Sequence, residues 1–245
     1  MAKKQNTIFL LGEAELVSEF GMFCSRGDAT ILYKLNNNTK GYRLPAPLRQ
    51  TASVPASTRV GFELTNTDKA IKQKNLRLLE RSLSKETIIL SSSVTVTITE
   101  QATWMKHPSR LLGISALPTL LSQGLIELTP SVHTGREVVQ RAQQELKRIG
   151  KESAIVQDRI GMVMPRILCQ LVNEAFFAVI EDVAAPKDID IAMKLGTNYP
   201  DGPLSWGVRI GYKQVLSILE ALHADLGEER YRIAPLLRQM AMSGG

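Results

Sequence analysis

The sequence predicts an α/β domain built on a parallel sheet, followed by an all-helical domain. Three observations carry this. The first 34 residues read strand, Gly turn, helix, Gly, strand. Strands then alternate with amphipathic helices to about residue 153. Beyond that point apolar residues recur at helical spacing only. The expected division is therefore residues 1–153 and 154–245.

Thr7–Leu11 is a short apolar run closed by Gly12, the pattern of a buried strand. In residues 13–26, Leu16, Val17, Phe20, Phe23 and Cys24 keep three-four spacing, and Gly27 closes a helix. Ala29–Lys34 is a second strand. Residues 35–57 are rich in Asn, Thr, Pro and Ser and predict loop with at most one edge strand. Arg59–Leu64 predicts a strand, and residues 67–83 a helix started by Thr67 or Asp68. Thr87–Leu90, Arg110–Ile114 and Leu125–Leu128 predict strands. Residues 99–106 and 135–149 predict helices. In the second half, residues 160–182 carry a wide apolar stripe, the mark of a helix buried on most of its girth. Further helices are expected over 187–195, 212–226 and 230–242, with breaks at Gly227 and Pro235.

Composition narrows the class. The chain has 245 residues, 44% hydrophobic and 22% charged, which excludes disorder as its main state. No apolar run is long enough for a membrane helix, and the apolar start is too short for a signal peptide. Two cysteines, Cys24 and Cys169, exclude a disulfide framework and a Cys-rich metal site, and the cytoplasm is the expected compartment. No metal is expected. The net charge is +6, concentrated in residues 1–153, where 21 Lys and Arg face 13 Asp and Glu. No basic run is interleaved with aromatics, so neither nucleic acid nor membrane is expected as partner.

Residues 188–203 are the most specific text in the chain: Asp-Ile-Asp, then Ala192-Met-Lys-Leu-Gly196, Tyr199-Pro200 and Gly202-Pro203. Together with Arg166-Ile-Leu, Asn173-Glu-Ala, Ile210-Gly211, Ile98-Thr-Glu100 and Pro108-Ser-Arg110, this text resembles the 3-hydroxyacyl-CoA dehydrogenases. The resemblance runs over nearly the whole chain. It implies a Rossmann-like domain, then a helical dimerisation domain, and NAD-dependent oxidation of a 3-hydroxyacyl-CoA in fatty-acid metabolism. A homodimer through the C-terminal helices is the expected assembly.

The positions that would do this chemistry depart from the family pattern. Its Gly-x-Gly-x-x-Gly cofactor loop reads Gly12-Glu13-Ala14-Glu15-Leu16-Val17, so only Gly12 remains. Glu13 and Glu15 are expected to cap the following helix and to repel a pyrophosphate. Lys34 stands where an acid would hold the ribose hydroxyls. Ser115 stands at the position of the family's proton-moving His, while the Glu that orients that His is retained as Glu127. The family's substrate-contacting Ser falls on Val94, between Ser93 and Thr95, and its Asn falls on Pro165. His107, His133 and His223 lie outside the motif. A segment that helps the family hold CoA is short here. The resemblance therefore implies a member that has lost its cofactor site and catalytic base, with no cofactor expected to bind. Its expected role is to bind an acyl-CoA-like ligand or a protein partner. The alternatives are an active dehydrogenase using Glu127 and Ser115, a helper subunit of an intact homologue, and a protein with no ligand.

Overall fold

The computed structural model describes residues 6–36 and 43–243. The chain divides into two compact units, Met1–Arg159 and Ile160–Gly245. In the first, β1 (Thr7–Gly12), α1 (Ala14–Cys24) and β2 (Thr30–Leu35) form the expected βαβ opening. Part of the predicted loop, residues 37–42, lies outside the described residues. The rest of it holds one two-residue edge strand, β3 (Arg49–Gln50). Then come β4 (Val60–Leu64), α2 (Lys69–Ser82), β5 (Ile88–Ser92) and α3 (Ile98–Ala102). Asp68 is the residue that caps α2, its carboxylate accepting from Ile71 N at 2.9 Å. β6 (Leu111–Ile114), β7 (Leu125–Pro130), α4 (Arg136–Arg148) and β8 (Glu152–Ile155) complete the unit.

Among the described residues, eight strands make one sheet in the order β3-β2-β1-β4-β5-β6-β7-β8. Both faces are covered. Ile8, Leu10, Ile88 and Leu90 pack on the side of α1 and α4, while Phe9, Leu11 and Ile89 pack on the side of α2 and α3. Two-sided burial explains why β1 reads as a continuous apolar run rather than an alternation. The order reverses between β1 and β4, which opens a crevice at their carboxyl ends.

Two expectations change. The sheet is not wholly parallel, because β7 runs antiparallel to β6. Only residues 115–124 join them, fewer than the dozen or so that a parallel crossover requires. The second change is β8, which pairs parallel with β7 and straddles the boundary expected at residue 153. Its sequence, Glu-Ser-Ala-Ile, is short and partly exposed, so no apolar run marks it. The division between units accordingly falls after Arg159.

The second unit contains α5 (Met164–Ile180), α6 (Pro186–Thr197), α7 (Pro203–Ile210), α8 (Tyr212–Leu226) and α9 (Pro235–Ser243). α5 starts later than its apolar stripe does, because Gly161 and Met162 adopt positive φ (76° and 49°). Pro235 begins α9 instead of breaking it, since a first-turn proline gives up an N–H that has no partner there. α7 has no counterpart among the predicted helices, and its start explains the Asp188–Pro203 text. The Asp190 carboxylate accepts from Leu204 N at 2.8 Å, Ser205 N at 2.9 Å and Ser205 Oγ at 2.5 Å, capping α7 from across the chain. A Cβ at Gly202 would come within 2.2 Å of Asp190 Cγ, so the cap requires glycine there. Asn173 pins the approach to α9, donating to Arg232 O and accepting from Ala234 N, both at 2.9 Å.

Candidate functional site

The crevice at the carboxyl ends of β1, β4, β5 and β6 is assembled from four loop starts. The first is Gly12. A Cβ there would sit 2.0 Å from Leu64 O and 2.4 Å from Leu64 C, both backbone atoms that cannot swing aside. The glycine is required by strand packing, whatever the loop holds.

Glu13 follows, and it does not do what was expected. It occupies the N-cap position of α1, but its side chain makes no cap bond there. Its carboxylate crosses to the loop after β4, where Oε1 accepts from Asn66 N at 3.0 Å, Thr67 N at 2.8 Å and Thr67 Oγ1 at 2.7 Å. Its own N–H donates to Leu64 O at 2.8 Å. Glu15 is in the first turn of α1 and is exposed. The carboxylate thus converges on one loop's donors, and an anion brought there would meet it. A pyrophosphate does not fit this loop. Ala14 and Val17, at the other two glycine positions, add side chains where the family's loop has none.

Asn66 ties the remaining loops together. It donates to Ala116 O at 2.8 Å, while its own Oδ1 accepts from Ser92 Oγ at 2.5 Å and its carbonyl from Thr95 Oγ1 at 2.9 Å. Val94 is fully buried. The two hydroxyls beside it spend their protons internally, Ser93 Oγ on Val96 O at 3.1 Å and Thr95 on Asn66. Neither replaces the hydroxyl donor that Val94 lacks.

Ser115 and Glu127 are brought together. Ser115, just past β6, donates its N–H to Glu127 O at 3.1 Å, and its Oγ accepts from Glu127 N at 3.0 Å. Both residues are 5% exposed. The serine clasps the β7 main chain, which an imidazole at this position would do differently, and a hydroxyl of ordinary acidity cannot take a proton at neutral pH as an imidazole does. Pro165 lies in the first turn of α5, in the other unit, and offers no amide. His107, His133 and His223 are all exposed. Among the described residues, no cluster of three metal-ligating side chains occurs.

Beneath the crevice lies a buried polar network that sequence reasoning missed. Glu63 of β4 and Lys72 of α2 are ion-paired and 0% and 1% exposed. Lys72 Nζ also donates to Ser92 O at 2.8 Å, and Asn75 Nδ2 donates to Glu63 Oε1 at 3.1 Å. Gln101 Nε2 donates to Ser92 O at 2.9 Å and Val96 O at 2.8 Å. The signal was a charged residue inside an otherwise apolar strand, at Glu63, with a lysine on the inner face of the next helix.

At the C-terminal turns of α1, Lys151 is buried over the Phe23 ring, 3.7 Å from its centroid, and donates to Leu121 O at 2.5 Å. Burial pulls its pKa down to about 8, partly opposed by Cys24 and Glu19. The same burial pushes the Cys24 thiol up to about 12, which leaves it an inert core side chain.

Two family models match: the NAD binding domain of 3-hydroxyacyl-CoA dehydrogenase over residues 49–159, and the C-terminal domain of the same over residues 161–245. The first begins after the Gly12 loop. A probable 3-hydroxybutyryl-CoA dehydrogenase of Bacillus subtilis is 33% identical over 197 residues, 80% of this chain and 69% of that protein. Another, from Deinococcus radiodurans, is 34% identical over 71% of this chain but only 63% of its own length. Among solved structures, Mycobacterium tuberculosis FadB2 superposes with a TM-score of 0.84 at 19% identity, covering 98% of this chain and 94% of that one, a likeness of fold. No helix among the described residues is long and apolar enough to cross a membrane.

Proposed function

Since the chain belongs to the 3-hydroxyacyl-CoA dehydrogenase family, we propose that it is a member that has kept the architecture and given up the redox step. The observation that carries this is Glu13, whose carboxylate fills the donors of the β4–α2 loop. The reading gains support from Ser115, which holds the Glu127 main chain where the family places an imidazole. A positioned general base contributes about 10²–10⁴ in rate. Its loss, added to a loop that rejects a pyrophosphate, removes practical turnover. The remaining role is binding, of an acyl-CoA-like ligand or of a protein partner.

The test is direct. Purified protein mixed with NADH and acetoacetyl-CoA is expected to show no NADH oxidation above background, and NADH titration no saturation below about 1 mM, a free energy near −4 kcal/mol. Micromolar NADH binding with steady turnover would overturn the reading in favour of a dehydrogenase working through Glu127 and Ser115.

The helical unit is proposed as the dimer contact. It exposes Val163, Met164, Ile167, Val183, Leu195 and Val208, each at least 46% accessible. Apolar exposure of this kind marks association surfaces. Light scattering is expected to give twice the mass of one chain, and Ile167→Glu to lower it. A monomer across the micromolar range would refute the contact.

A further inference from the structure

The outer side of α2 carries a bare row of cations. The helix holds five Lys and Arg against one acid, Glu80. Two of the five are already paired: Lys72 with Glu63 in the core, and Lys69 with Glu100 at 2.5 Å. The other three, Lys74, Arg77 and Arg81, are exposed. Among the described residues they enter no ion pair. Glu80 is engaged elsewhere, its Oε1 accepting from His107 N at 2.7 Å.

Helical geometry aligns the three. At about 100° per residue, positions 74, 77 and 81 fall within an arc of about 60° and span about 10 Å along the axis. The buried side of the helix is the other one, where Leu76 and Leu79 pack with Phe9 and Leu11. Arg81 Nε donates to Arg77 O at 3.2 Å, which tethers that guanidinium along the row. Like charges at i, i+3 and i, i+4 work against a helix. Elsewhere the chain answers its exposed arginines with carboxylates: Arg148 pairs with Glu145, Arg209 with Asp201 and Arg238 with Glu220. On α2 the repulsion is relieved by salt, or by an anionic surface laid across the row.

The form of the face selects the kind of surface. The outer side of a helix is convex and encloses no small ligand. α2 has no aromatic residue to stack a base, and the row has no large apolar side chain to enter a bilayer, Ala70 being its other exposed member. Carboxylates are the matching groups. A guanidinium fork takes them bidentately, and a helix with Asp or Glu at i, i+3 and i+7 repeats the spacing of the row.

We propose that this face of α2 docks an acidic helix of a protein partner, an inference that rests on the binding role put forward above. Lys74, Arg77 and Arg81 each meet one of its carboxylates.

The experiment is fluorescence anisotropy of a labelled alanine-based helical peptide with Glu at i, i+3 and i+7, titrated with the full chain at low ionic strength. Saturation with a Kd below about 100 μM is expected. Lys74→Glu, Arg77→Glu and Arg81→Glu together should weaken binding at least about tenfold, and the milder Arg77→Ala about threefold. Reversing Arg136, Lys147 and Lys213, exposed cations on other helices, changes the net charge equally and should leave the affinity within about twofold. Thermal melts verify that the variants fold. Equal loss in both triple variants would reduce the effect to net charge and overturn the face, as would a titration without saturation. Tighter binding of a short RNA duplex or of phosphatidylserine vesicles than of the peptide would overturn the protein assignment. The titration contains neither NADH nor an acyl-CoA, so turnover in the assay above would refute the loss of the redox step and leave this face standing.

Discussion

Lys72→Met is expected to destabilise the N-terminal unit by about 3–5 kcal/mol, as urea unfolding would show. The reason is asymmetric. With both partners present, the Glu63–Lys72 pair sits dry beneath the crevice, with Asn75 and Ser91 completing the carboxylate's bonds. Removing the lysine leaves a carboxylate with no counter-charge in a place water does not reach, and that residual charge is the cost. The double variant Glu63→Gln with Lys72→Met should therefore be more stable than Lys72→Met alone. The comparison pair is Lys69–Glu100, whose side chains are 62% and 42% exposed. Lys69→Met should change stability by less than about 1 kcal/mol. If Lys72→Met is equally mild, the buried pair is not what holds the ends of β4 and β5 together.

The alternation of strand and helix made the first unit legible, because two-sided burial writes itself as apolar runs. β1, β2, β4 and β5 stand where those runs are. What escaped was set by partners distant in sequence. β8 forms because β7 offers an open edge, and its own residues carry little apolar signal. α7 depends on a cap from Asp190, which reaches it from the preceding helix. The text that carried the family resemblance most specifically turns out to be structural: Asp190 and Gly202 build the cap of α7. That text identifies a fold and is silent on chemistry. At the candidate site the residue types that depart from the family pattern, Ser115 and Val94, were legible, because a residue type is written in the sequence itself. The direction in which Glu13 points was not, since capping α1 and bridging to Thr67 demand the same residue type at the same position.

On the proposed reading, that bridge decides whether a single substitution can confer dehydrogenase turnover. Ser115→His places an imidazole beside the retained Glu127, and on the catalytic residues alone a gain of about 10²–10⁴ in rate is due. The expected result is no gain: acetoacetyl-CoA-dependent NADH oxidation stays at background, because the Gly12 loop still presents the Glu13 carboxylate to the pyrophosphate. Glu13→Ala acts on the other half of the problem. It removes the charge and frees Asn66 N, Thr67 N and Thr67 Oγ1 as donors. NADH affinity should rise by at least about tenfold, or 1.4 kcal/mol. This is a small part of what three donors to an anion can supply, since Ala14 and Val17 still crowd the turn. The variant also loses a bridge between two loops, so its folded fraction has to be established by circular dichroism before the titration is read. Turnover by Ser115→His with Glu13 in place would show that the carboxylate swings aside for the nucleotide. The chain would then be an enzyme lacking only its base. An unchanged affinity in Glu13→Ala would instead put the obstacle in the missing glycines, where no single substitution relieves it.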